Sequence, residues 1–178
     1  IAAGAQVNTV TSVAGKTGAV ALTLSYLEGL IPTVAFMPPG AKMGFSNIAT
    51  MFAASSMGLV SALAITFIKA LFAGITRGVT AFFMSLCGGI LSTVTMYLLF
   101  KLSKKTGYMA IGIICALVHN FGQLIVAIIT AGNLSVLGYA PVLLISGTVT
   151  GAVTGTVLRA VMPSLERVTK TITRKGGK

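Results

Sequence analysis

Residues 107–131, GYMAIGIICALVHNFGQLIVAIITA, decide the fold of this chain. The stretch contains no Asp, Glu, Lys or Arg, and as a helix it is long enough to cross about 30 Å of hydrocarbon. The rest of the chain is similar, since 55% of its 178 residues are hydrophobic and 8% are charged, against roughly 25% charged in an average soluble domain. So few charges would not cover the surface of a soluble domain, and the sequence therefore predicts a membrane protein.

Pro, Gly and Lys residues divide the chain into further apolar segments. We predict membrane-spanning helices at 17–32, 44–58, 59–75, 79–101, 107–131 and 138–161. The predicted fold class is all-α, a polytopic membrane bundle of about six transmembrane helices. A cytoplasmic segment, 1–16, would precede the bundle, and a basic cytoplasmic tail, 162–178, would follow it.

Residues 44–75 leave two topologies open. Two crossings of about sixteen residues each are shorter than usual and imply a thin, tilted or partly re-entrant hairpin. One long helix is the alternative, which would give five crossings. Because that helix would run about 48 Å, well beyond the hydrocarbon thickness, we favour six.

The charged residues exclude several classes of function. There are 13 Lys and Arg against two acids, Glu28 and Glu166, and no Asp. Prenyl diphosphate synthases need Asp-rich clusters for Mg²⁺, and ATP-driven motors need catalytic carboxylates. Neither can be built here, and Cys87 and Cys115 lie in apolar runs, where a thiol is typically a small hydrophobe. We therefore expect no enzymatic activity, no cofactor and no metal site.

The basic residues also predict an orientation. They flank apolar runs, which favours anionic lipid headgroups as their partner and argues against nucleic acid. The positive-inside rule places two basic regions in the cytoplasm. These are the loop with Lys101, Lys104 and Lys105, and the C-terminal end with Arg159, Arg167, Lys170, Arg174, Lys175 and Lys178.

Ionisable residues inside a bilayer are costly and usually functional, and here they are Glu28, Lys69 and His119. Each lies on a helical stripe of small or polar residues that suits contact with other helices. The stripes are Gly18, Ala21, Ser25 and Glu28; Ala62, Thr66, Lys69 and Ala73; and Gly112, Ala116, His119, Gln123 and Ala127. With six crossings the polar groups converge toward the outside, which predicts a pocket lined by Glu28, Asn47, Lys69, His119, Asn120 and Gln123.

Structural interpretations of the same residues stay open. Glu28 and Lys69 form either a helix-joining ion pair or part of the pocket, and the polar residues of 119–123 suit interhelical hydrogen bonds as well as ligand contact. Gly147, Gly151 and Gly155 form a tandem GxxxG, which is typical of close helix packing and carries no chemistry.

Three motifs resemble one known family. LSYLEGLIP at 24–32, PGAKMGFSNIAT at 39–50 and ALVHNFGQL at 116–124 are similar to the Gx transporter family, whose members are often labelled heptaprenyl diphosphate synthase component I. The resemblance covers residues 17–160. It implies a bundle similar to the S components of energy-coupling factor vitamin transporters, located in a bacterial cell membrane.

In such systems the S component captures a micronutrient outside, and a coupling transmembrane protein with cytoplasmic ATPases drives its release inside. The resemblance implies that Ala21 and Ser25 on the first helix dock the coupling protein, and it places Lys69 near a position where family members carry Arg. Lys69 would meet an anionic group of the small-molecule ligand.

Two other roles fit the sequence. An accessory subunit of isoprenoid or quinone biosynthesis would anchor a soluble synthase through its basic loop and tail. A purely structural subunit of a larger complex would have fully packed polar stripes.

Overall fold

The computed structural model of the chain describes residues 46–102 and 106–175, together with residues 15, 17–19, 22 and 23. The two long ranges are almost entirely helical, which confirms the all-α class. Their elements are α1 (Ser46–Ser56), α2 (Leu59–Arg77), α3 (Val79–Leu102), α4 (Tyr108–Ala131), the 3₁₀ helix η1 (Leu134–Tyr139) and α5 (Ala140–Lys175).

Glycines with positive φ separate the helices. Gly58 between α1 and α2 has φ 90° and ψ 175°, and Gly78 between α2 and α3 has φ 95° and ψ 174°. Residues with a Cβ rarely adopt this conformation. The chain therefore turns at Gly58, and the single long helix considered for residues 44–75 does not form.

Four of the described helices are long and apolar enough to cross a membrane: Leu59–Arg77, Val79–Leu102, Tyr108–Ala131 and Leu134–Ala160. The chain is thus a membrane-embedded helical bundle. The crossing predicted at 44–58 is the 11-residue α1, whose length of about 16 Å is roughly half of the hydrocarbon thickness. The crossing predicted at 17–32 lies mostly outside the described residues, although 17–19, 22 and 23 are helical.

Successive helices from α2 to α5 pack against each other, and α1 packs against α2, α3 and α5. A buried cluster that includes Phe52, Met96 and Leu158 joins these helices, and Met57 and Tyr108 pack on it. The α1–α2 turn therefore lies at the same end of the bundle as the α3–α4 connection. This is the end that the basic residues predict to be cytoplasmic.

Helix α5 is longer than the sequence predicts. Its 36 residues include Pro163 and continue to Lys175, a length of about 54 Å. The helix thus runs through most of the stretch predicted to be a tail, and the domain boundary at 161 stays a prediction. At its other end, the six residues before α5 form η1, where the Asn133 Oδ1 accepts hydrogen bonds from the backbone N–H and the hydroxyl of Ser135, both at 2.9 Å.

Candidate functional site

Lys69 joins α2 to α1. Its half-buried Nζ donates hydrogen bonds to Asn47 Oδ1 at 2.9 Å and to Thr50 Oγ1 at 3.4 Å. A cation in a bilayer is tolerated when polar groups replace water around it, and two oxygens of the short helix are among the groups that do so here. The structure thus brings together two of the predicted pocket residues, Lys69 and Asn47.

Adjacent glycines in α3 bring α2 and α4 close to it. A Cβ on Gly89 would lie 2.5 Å from Thr66 Cγ2, and a Cβ on Gly88 would lie 2.6 Å from the His119 backbone oxygen. Because neither glycine has a side chain, the backbone of α3 contacts the Thr66 side chain of α2 and the His119 backbone of α4. The helices that carry Lys69 and His119 therefore pack on neighbouring positions of α3.

A pair of buried threonines lies beside this contact. Thr66 Oγ1 donates to the Ala62 backbone oxygen at 2.9 Å and lies 2.8 Å from Thr93 Oγ1. Since the single hydroxyl proton of Thr66 is used within its own helix, Thr93 is the donor between the two. The pair links α2 to α3 about one helical turn before Lys69 in α2.

His119, Ser92 and Gln123 form the other side of the site. Gln123 Nε2 lies 3.1 Å from His119 Nε2, and Ser92 Oγ lies 3.5 Å from His119 Nδ1. Ser92 Oγ also donates to the Gly89 backbone oxygen at 3.2 Å. The predicted residues His119 and Gln123 are thus in direct contact with each other, on the side of α4 that faces α3.

Asn120 lies elsewhere, in the contact between α4 and α5. Its Nδ2 donates to the Leu143 backbone oxygen at 2.9 Å and lies 2.7 Å from where a Cβ on Gly147 would be. Asn120 therefore makes an interhelical hydrogen bond of the kind that the sequence left open as an alternative to ligand contact.

The tandem glycines of α5 continue this contact. A Cβ on Gly151 would lie 2.6 Å from Ile113 Cα, and a Cβ on Gly155 would lie 2.6 Å from Met109 Cα. A Cβ on Gly112 would meet the Gly151 backbone oxygen. The backbones of α4 and α5 therefore touch over about two turns, the geometry that a GxxxG pattern allows.

Three predicted residues, Glu28, Ala21 and Ser25, lie outside the described residues. The proposed pairing of Glu28 with Lys69, and the docking role of Ala21 and Ser25, therefore stay predictions.

The sequence reasoning missed three polar contributors, Thr50, Ser92 and Thr93. It took pocket candidates from ionisable and amide side chains, whereas these three carry hydroxyl groups. A usable signal was present in α3, where Ser92 and Thr93 follow Gly88 and Gly89 at a spacing of four, so that small and polar residues share one side of an apolar helix.

Comparison with known proteins gives one match. The family model described as heptaprenyl diphosphate synthase component I matches residues 17–161. No curated protein and no solved structure matches the chain.

Proposed function

Because the chain belongs to the heptaprenyl diphosphate synthase component I family, we propose that its membrane bundle is a non-enzymatic, S-component-like binding protein. It captures a small polar or amphipathic nutrient from outside the cell. An energy-coupling transmembrane protein and cytoplasmic ATPases then drive the release of the nutrient inside. The protein lies in a bacterial cell membrane, with its C-terminal tail in the cytoplasm.

The observation that carries this proposal is the arrangement of polar groups around the α3 glycines. Lys69 with Asn47 and Thr50 lies on one side, and His119 with Gln123 lies on the other. A cation, amides and an imidazole on the two sides of these glycines are the kind of polar groups that orient a small ligand in an otherwise apolar site. Lys69 would meet an anionic group of the ligand.

The depth of these groups supports capture from outside. Lys69 lies nearer to the Arg77 end of α2 than to the Leu59 end, and the Leu59 end adjoins the turn at Met57, which packs on the same cluster as Tyr108. The charge bias assigns that end to the cytoplasm. The polar groups would therefore be reached from the opposite side.

Mass spectrometry of small molecules released from the purified protein tests the capture role. We expect the wild-type protein to carry a compound that Lys69→Met loses, while Lys101→Met keeps it. Lys101 is a suitable control because it is an exposed lysine that makes a different contact. Its Nζ lies 5.9 Å from the Tyr97 ring centroid. Retention of the compound by Lys69→Met, in a protein that stays folded, would contradict the assignment.

The family description favours a second candidate, an accessory subunit that anchors a soluble prenyl diphosphate synthase. In that role the cytoplasmic surface around Lys101 and Arg159 would bind the enzyme, and the polar groups around Lys69 would only hold helices together. The identity of the copurifying proteins distinguishes the two roles.

A further inference from the structure

The hydrogen bonds around His119 determine its tautomer. Gln123 Nε2 lies 3.1 Å from His119 Nε2, and an amide nitrogen can only donate. His119 Nε2 must therefore accept, which means that it carries no proton. The imidazole is neutral in this arrangement, and its proton is on Nδ1.

The bond to Ser92 fits this assignment. His119 Nδ1 lies 3.5 Å from Ser92 Oγ, and the only hydroxyl proton of Ser92 goes to the Gly89 backbone oxygen at 3.2 Å. The Ser92 oxygen is therefore able to accept from Nδ1–H. Gln123 donates to His119 Nε2, which leaves the Nδ1 proton for the Ser92 oxygen or for the Gly88 backbone, which also hydrogen-bonds the imidazole.

These hydrogen bonds use the nitrogen of the Gln123 amide and leave its oxygen, Oε1, available. Within the described part of the chain, Gln123 Oε1 has no hydrogen-bond partner. No buried side-chain nitrogen or oxygen there lacks a partner, so this oxygen is not sealed inside the protein. Gln123 thus presents a carbonyl acceptor beside His119, on the α4 side of the α3 glycines.

We propose that His119 is a positioning residue that holds the Gln123 amide, and that Gln123 Oε1 accepts a hydrogen bond from the ligand. This proposal rests on the proposed function and defines a ligand class. The ligand is an anion that also has an N–H or O–H donor; its anionic group binds Lys69, and its donor binds Gln123. Quinones and carboxylates without such a donor do not meet the requirement, since they would leave the Gln123 oxygen desolvated and unpaired.

The tautomer is measurable without any ligand, because His119 is the only histidine in the chain. We expect long-range ¹H–¹⁵N spectra of the full-length protein in lipid nanodiscs to show one neutral imidazole protonated at Nδ1. Gln123→Met should change the Nε2 resonance, whereas Thr130→Val should not, since exposed Thr130 donates only within α4. A histidine protonated at Nε2 or at both nitrogens would overturn the positioning role.

Orotate and 1,3-dimethylorotate test the ligand class, since the second differs from the first by lacking both ring N–H donors. We expect orotate to raise the melting temperature of the wild-type protein, and dimethylorotate to need at least a tenfold higher concentration for the same rise. Gln123→Met should remove this difference, and Lys69→Met should remove both effects. Equal stabilisation by the two anions, or stabilisation by neither, would overturn the ligand class. The proposed transport partners would be unaffected, because copurification tests them separately.

Discussion

At the scale of single residues, the site depends on polar groups that satisfy one another inside an apolar bundle. Lys69 donates to an amide and a hydroxyl oxygen of α1, and Thr93 is paired with Thr66. An unsatisfied buried donor or acceptor costs about 1–3 kcal/mol. Substitutions in the site should therefore differ in their loss of stability, according to whether they leave a buried donor or acceptor without a partner.

The buried threonine pair should respond asymmetrically to substitution. Thr66→Val leaves the fully buried Thr93 hydroxyl without its partner, which should lower the free energy of unfolding by about 1–2 kcal/mol. Thr93→Val should cost less, because Thr66 keeps its bond to the Ala62 oxygen. Thermal melts of the two variants in detergent measure the difference, and equal losses would contradict the assigned direction of donation.

Lys69 should contribute to stability as well as to binding. Lys69→Met removes the donor shared by Asn47 and Thr50, and we expect a loss of about 1–3 kcal/mol in the free energy of unfolding. The control Lys101→Met removes an exposed cation–π contact and should cost less than about 1 kcal/mol. Similar melting temperatures for the two variants would show that the Lys69 bonds carry no stability.

At the scale of elements, most helix ends were predictable because they depend on local backbone chemistry. The sequence predicted turns near Gly58 and Gly132; α1 ends and α2 begins beside Gly58, and α4 ends beside Gly132. It missed η1, since Leu134–Tyr139 is too short to show a period and depends on the Asn133 side chain. It also stopped the last segment at 161, because the charges beyond that point mark the end of an apolar run and not the end of a helix.

The contacts among the site residues were less predictable. Helical spacing indicated that Lys69, His119 and Gln123 face other helices, but His119 and Asn120 are neighbours in sequence that contact different helices. Which helix faces which residue depends on packing through Gly88 and Gly151. Glycine spacing indicates that a helix packs closely there, but which helix does so is a property of the whole bundle.

The contact between α4 and α5 should be sensitive to one methyl group. Gly151→Ala would place a Cβ 2.6 Å from Ile113 Cα and 2.7 Å from the Gly112 oxygen, and both of these are backbone atoms. We expect a loss of about 1–3 kcal/mol in the free energy of unfolding. Gly138→Ala is the control, since nothing lies within 4 Å of its Cβ position, and an equally stable Gly151→Ala would contradict the close packing.

The turn between α1 and α2 should also require its glycine. Gly58→Ala forces a residue with a Cβ to φ 90°, which should cost about 1–3 kcal/mol. Gly107→Ala should be nearly neutral, because Gly107 has φ −66° and open space at its Cβ position. Thermal melts compare the two, and a neutral Gly58→Ala would argue against the turn.

At the scale of the whole molecule, the arrangement predicts which connections lie on each side of the membrane. In a Cys87→Ala, Cys115→Ala background, Ser135→Cys should react with a membrane-impermeant maleimide in intact cells. Gly107→Cys should react only after permeabilisation, because the α3–α4 connection is predicted to be cytoplasmic. Both positions are exposed, so the reverse labelling pattern would invert the topology and place the polar groups nearer to the cytoplasm.

The central claim, that this bundle captures a ligand for an energy-coupled transporter, is tested most directly by purifying the tagged full-length chain from its native membranes and identifying the proteins bound to it. We expect a coupling transmembrane protein together with ATPase subunits. We expect no soluble prenyl diphosphate synthase in stoichiometric amounts. Recovery of the synthase without any ATPase would contradict the claim and favour the accessory-subunit role.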